Sequence, residues 1–243
     1  MKIAGKTDVG VVREMNQDFI KFHRFDEETA LLIVCDGMGG AKAGNVASEV
    51  AVNSIFEVFS KKFNFTQNDR ELKTIMTSAI NCANLDVFDL SQNNDEYYGM
   101  GTTAVVVFIS QGYAYTIHAG DSRAYIIYPD TLKRITTDHS IVQQLINNNM
   151  ITEEEAKTHP KRNVITRALG IDECLETDFS VTSLKKDYSI LICSDGLSNY
   201  VDEKDILEIA NGFDVDIACE KLVKLANENG GGDNISVVIA KGK

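Results

Sequence analysis

Three apolar segments, rich in branched residues, each meet an aspartate beside a glycine-containing turn. This pattern constrains the fold more than any other feature of the chain. Leu31-Leu32-Ile33-Val34-Cys35 runs into Asp36-Gly37, Ser189-Ile190-Leu191-Ile192-Cys193 runs into Ser194-Asp195-Gly196, and Gly232-Asp233-Asn234 leads into Ile235–Ala240. Short apolar runs bounded by turn residues read as buried strands. The same signals place strands at 2–8, 18–25, 102–109, 112–119, 123–128, 177–184 and 188–193. Helical spacing of apolar residues predicts helices at 45–60, 70–90, 203–210 and 214–228. Strands come in runs and helices in consecutive pairs. That order predicts an α+β fold of antiparallel sheets covered by helix pairs, not a doubly wound parallel sheet. Residues 139–170 are polar, partly helical and contain Pro160, so they read as a surface excursion.

The bulk properties exclude several classes. A net charge of −12 opposes binding to a nucleic-acid backbone. The five cysteines include no CxxC pair, so neither a disulfide framework nor a zinc site is indicated. No apolar run approaches the roughly 20 residues that span a bilayer, and the first residues lack the apolar centre of a signal peptide. A cytoplasmic protein is the expectation. No linker-like composition divides the chain, which predicts a single domain over 1–243.

Each strand-flanking aspartate alone reads better as a turn residue than as a ligand. Three of them, with Asp121 between two strands in Gly120-Asp121-Ser122-Arg123, suggest convergence. Like charges brought together cannot all ionise without a cation. Ligation by oxygen alone favours Mg²⁺ or Mn²⁺. The spacing therefore indicates a hard-metal site but not a reaction.

Seven segments, in order, resemble the metal-dependent protein phosphatases of the PPM, or type 2C, class in their compact bacterial form. They are Arg13-Glu14-Met15-Asn16-Gln17-Asp18, Val34-Cys35-Asp36-Gly37-Met38-Gly39-Gly40, Gly99-Met100-Gly101-Thr102-Thr103, Gly120-Asp121-Ser122-Arg123, Asp138-His139-Ser140, Ser194-Asp195-Gly196-Leu197 and Gly232-Asp233-Asn234. The resemblance implies a four-layer α-β-β-α sandwich with two mainly antiparallel sheets. It implies hydrolysis of phosphoserine and phosphothreonine in proteins by a metal-activated water. Asp36 would bridge two Mn²⁺ or Mg²⁺ ions, with Asp195 and Asp233 on the first and the Gly37 carbonyl on the second. Asp18 would act on water at the metals, Arg13 would bind phosphate, and Asp121 with Asp195 would hold a third ion.

The resemblance also implies a flap at about 139–170, in which His159-Pro160-Lys161-Arg162-Asn163 is a basic patch in an acidic protein and His159 is a candidate substrate contact. The implied partners are phosphorylated proteins, including a Ser/Thr kinase and its substrates, acted on by a monomer. Two positions depart from the pattern. Met38 stands where some relatives carry a histidine proposed as general acid, so the leaving alkoxide would take its proton from water. Gln17 replaces an acidic residue that some members use through water. A non-catalytic module on the same fold and a nucleotide phosphoesterase are the alternatives. The retained aspartates oppose the first, and the lack of a nucleotide-binding glycine fingerprint opposes the second.

Overall fold

The computed structural model describes residues 1–39 and 43–242. Gly40, the last residue of the second motif above, lies outside them. In chain order the elements are β1 (Lys2–Asp8), β2 (Asp18–Arg24), β3 (Ala30–Met38), α1 (Ala43–Lys62), α2 (Asp69–Asn93), a 3₁₀ turn (Asp95–Tyr97), β4 (Gly101–Thr102), β5 (Ala104–Ser110), β6 (Tyr113–Ala119), β7 (Arg123–Tyr128) and β8 (Thr131–Arg134). There follow α3 (Ile141–Asn147), α4 (Glu153–Lys157), β9 (Asp178–Ser183), β10 (Ser189–Cys193), α5 (Asp195–Ser198), α6 (Glu203–Gly212), α7 (Val215–Glu228) and β11 (Ile235–Lys241).

The strands form two sheets. One has the order β1-β11-β10-β7-β8, the other β2-β3-β5-β6-β9 with β4 attached to β3. All the pairings are antiparallel.

The continuous apolar runs are explained by burial on both faces. Successive strand residues point to opposite sides. In β3, Leu31, Ile33 and Cys35 pack with the α1–α2 residues Ala51, Ile55, Met76 and Ile80, while Leu32 and Val34 face the other sheet. In β11, Val237 and Ile239 pack with Ile206, Leu222 and Ala226 of α6 and α7, while Val238 and Ala240 join the inter-sheet core. Three apolar cores thus separate four layers, as the α+β sandwich expectation requires. Local chemistry supports the layers. The Asn68 side chain accepts from the backbone of Arg70 and Glu71, and Glu71 accepts from Asn68 N–H, a reciprocal cap for α2 worth about 1 kcal/mol.

Three features differ from the sequence expectations. β3 does not stop at Asp36: Gly37 and Met38 continue the strand by pairing with Thr102 and Gly101 of β4. The edge strand β8 was not anticipated, because Thr131–Arg134 is polar and only alternately covered. A short helix, α5, begins at Asp195 itself. Segment 139–170 carries α3 and α4; the bridge Ser140↔Ile165 closes it on itself, and Thr102↔Leu169 joins its far end to β4.

Candidate metal centre

The fold gathers the aspartates at one end of the sandwich. Asp18 opens β2 and is the register partner of Asp36 near the end of β3. Asp121 sits in the β6–β7 turn, Asp195 follows β10 and Asp233 precedes β11. Antiparallel pairing brings these strand starts and strand ends to the same edge.

Local structure holds Asp36 firmly. Its N–H donates to Thr103 Oγ1 at 3.0 Å, and its carbonyl accepts from Thr103 N–H at 2.8 Å and Thr102 Oγ at 2.9 Å. Thr103 Oγ1 also pairs with Ser122 Oγ at 2.7 Å, which ties the Asp36 strand to the residue after Asp121. Gly37 has to be glycine, because a Cβ there would run into the Gly44 carbonyl. The Gly37 N–H donates to Gln17 O at 3.0 Å.

These carboxylates are destabilised as anions. Burial, followed by the charges of Asp18, Asp195, Asp121 and Asp233, pushes Asp36 well above the usual carboxylate range. Asp18 is raised to about 7, first by burial, against the opposing effect of its bond from Ser194 Oγ at 2.7 Å. Asp121 also rises to about 7 through burial and the charge of Asp195, and Asp195 to about 6 through burial and Asp233. Among the described residues, Oδ1 of Asp18 and Oδ1 of Asp195 are buried without a hydrogen-bond partner. Buried carboxylate oxygens that repel one another and lack donors fit a divalent cation.

Arg13 is exposed and reaches the cluster, donating from Nη2 to Asp233 Oδ2 at 2.9 Å. His159 lies in the turn after α4, where its Nδ1 accepts from Lys161 N–H at 3.1 Å. Met38 leans over β4, with its Cε 2.9 Å from where a Gly101 Cβ would stand.

A second group was not singled out by sequence. Among the described residues, His118, His139 and Asp178 bring ligand atoms within 4.8 Å of one another, which are residue types and spacing suited to a metal. The two rings stack at 4.6 Å and 7°. Burial first, with the Arg167 charge contributing, lowers both histidines below their usual range and keeps them neutral. A cation already serves this group: Arg167 Nη1 lies 3.0 Å from His139 Nε2 and donates to Asp178 Oδ1 at 2.8 Å. His118 Nε2 meets Thr137 O at 2.9 Å, and His139 Nδ1 accepts from Gly120 N–H at 3.2 Å. Strand register pairs only His118 with Asp178; His139 joins them from the loop before α3, through its bonds with Gly120, so no local pattern in the sequence marks the group.

The family model for protein phosphatase 2C matches residues 11–215. The chain belongs to the protein phosphatase 2C family. It is 37% identical over 242 residues to a putative protein phosphatase 2C-type from Streptococcus pyogenes serotype M6, covering 98% of this chain and 96% of that protein. The serine/threonine phosphatase Stp1 from Staphylococcus aureus superposes with a TM-score of 0.92 at 33% identity, covering 100% of this chain and 95% of that one. The catalytic domain of the serine threonine protein phosphatase PstP, solved with 2 manganese ions, superposes with a TM-score of 0.85 at 30% identity, covering 99% and 97%. This phosphatase is therefore a metal-dependent enzyme acting on phosphoserine and phosphothreonine. No helix among its described residues is long and apolar enough to cross a membrane.

Proposed function

We propose that this phosphatase holds its ions at the aspartate cluster rather than at His118, His139 and Asp178. The observation that carries this reading is the set of mutually repelling carboxylates with two orphaned oxygens, which no cation among the described residues neutralises. Asp36, Asp195, Asp233 and the Gly37 carbonyl would hold two ions. Asp121 with Asp195 offers a third, weaker position. Mn²⁺ or Mg²⁺ suits this all-oxygen donor set. Such ions supply the positive charge that an acidic chain lacks and lower the pKa of water towards neutrality.

The chain's own residues do the rest. Arg13 donates to the phosphate oxygens, and its exposed guanidinium is free to exchange Asp233 for substrate. Asp18, the register partner of Asp36 and held by Ser194 Oγ, is placed to accept a proton from water beside the ions. Met38 has no proton to give, so the leaving serine or threonine oxygen is protonated by water. His159 and its basic neighbours on the 139–170 flap steer phosphorylated proteins towards the cluster. The substrates proposed are phosphoproteins of the cytoplasm, including a Ser/Thr kinase and its targets, handled by a monomer whose residues 1–243 form one domain.

The test is Mn²⁺-dependent phosphate release from a phosphothreonine peptide, with D36N as the control. The wild type should turn over only with added metal and D36N should be inactive. Equal metal-dependent turnover by D36N would overturn the assignment.

A further inference from the structure

Asn234, which carries the chain from Asp233 into β11, is buried at 5% exposure. Its side chain makes three hydrogen bonds, all to one loop. The Oδ1 accepts from Gln17 N–H at 2.8 Å, and Nδ2 donates to Val9 O at 2.8 Å and Met15 O at 3.0 Å. One amide thus closes both ends of the 9–17 loop, and Arg13 sits near its middle. The orientation of the amide is forced, because the loop offers it one N–H and two carbonyls.

Packing does little to shape this loop. Val11 and Val12 are each 67% exposed. The loop is held instead by hydrogen bonds: those of Asn234, those from Val11 N–H and Val12 N–H to Gly231 O at 2.8 and 3.3 Å, and others towards its ends, from Gly10 N–H to Asp8 Oδ1, from Asn16 Nδ2 to Thr7 Oγ1, and from Gly37 N–H and Ser48 Oγ to Gln17 O. Gly10, at φ +80°, has no room for a side chain because a Cβ would strike the Asp233 carbonyl. The loop and the segment that bears Asp233, just before β11, are therefore in backbone contact, and Arg13 Nη2 spans the remaining gap to Asp233 Oδ2 at 2.9 Å.

We propose that Asn234 is a positioning residue for phosphate recognition: its amide holds the 9–17 loop in the one shape that presents the Arg13 guanidinium beside the aspartates. The inference rests on the reading of Arg13 as the phosphate-binding side chain. Without the amide, two carbonyls and one N–H of the loop lose their partner. The loop then has to be ordered each time a phosphate binds, and affinity for phosphate falls.

A double-mutant cycle on the Mn²⁺-loaded enzyme tests this, with inorganic phosphate as inhibitor and a phosphothreonine peptide as substrate. N234A and R13A should each weaken phosphate inhibition about tenfold, and the double variant should stay within about twofold of R13A alone, because coupled residues are not additive. The Mn²⁺ concentration for half-activation should remain near that of the wild type in all three. N234D keeps the acceptor for Gln17 but sets an oxygen against the Val9 and Met15 carbonyls. It should reproduce N234A, and it provides the reading if circular dichroism finds N234A unfolded. Losses that multiply in the double variant, or unchanged phosphate inhibition in N234A and N234D, would overturn the proposal. So would a rise in the Mn²⁺ requirement that parallels the loss, since Asn234 would then act through Asp233. A wild type that responds to Mn²⁺ while R13A binds phosphate normally would overturn the Arg13 reading itself.

Discussion

Neutralising Asp18 should stabilise the metal-free protein, and the gain should depend on pH. Asp18 rises from an ordinary 3.8 to about 7, chiefly through burial and secondarily through the charges of Asp195 and Asp233. The folded state therefore holds this proton more tightly than the unfolded state does. The resulting stability is fully present below 3.8 and is lost as pH rises to about 7. Each pH unit across that window costs about 1.4 kcal/mol, so the charged side chain costs about 4 kcal/mol at pH 8 and only about 1–2 kcal/mol at pH 5. In D18N the new Oδ1 can still accept from Ser194 Oγ. The new Nδ2 falls where Asp18 Oδ1 has no partner, which takes back about 1–2 kcal/mol. The net gain is about 2–3 kcal/mol at pH 8 and near zero at pH 5. For a chain of this length that is a rise in Tm of about 5–10 °C at pH 8. Thermal melts followed by circular dichroism, in chelator at both pH values, read it directly. A lower Tm for D18N at pH 8, or the same shift at both pH values, would refute the reasoning.

Other outcomes follow from the same geometry. Mn²⁺ should raise the Tm of the wild type more at pH 8 than at pH 5, because the ions relieve carboxylates that are already protonated at the lower pH; scanning calorimetry with and without metal checks the sign. M38H should leave turnover of a poor leaving group little changed. Near-zero turnover by the wild type, restored by the histidine, would show that water is not the proton source. Exchanging residues 139–170 for another flap should alter selectivity among phosphoproteins while small aryl phosphates are hydrolysed as before; equal losses on both substrates count against a steering role.

The two sheets were legible because their strands are apolar on both faces, as in Leu31–Cys35 and Ile235–Ala240, and such runs leave little choice of structure. What the sequence hid depends on contacts between distant segments. Asp36 looked like a strand end, yet β3 continues to Met38 because Gly101 and Thr102 pair with it from the far side of two helices. β8 was missed because an edge strand such as Thr131–Arg134 needs no apolar face. The aspartates were found by their neighbours, since an Asp beside a glycine at a buried strand carries a local signal. Asn234 and Ser194 stand in the same motifs, but nothing local shows what they bind: their partners, Gln17 and Asp18, lie 217 and 176 positions away. The group around His118 became visible only in the fold, where the β6–β9 register sets His118 opposite Asp178 and the bonds between His139 and Gly120 stack the second ring on it.

The most direct test of the central claim is an anomalous difference map at the manganese edge from crystals grown with Mn²⁺. Peaks should lie among Asp36, Asp195 and Asp233, with none between His118, His139 and Asp178, where Arg167 already supplies the positive charge. A peak at the histidines with none at the aspartates would contradict the account.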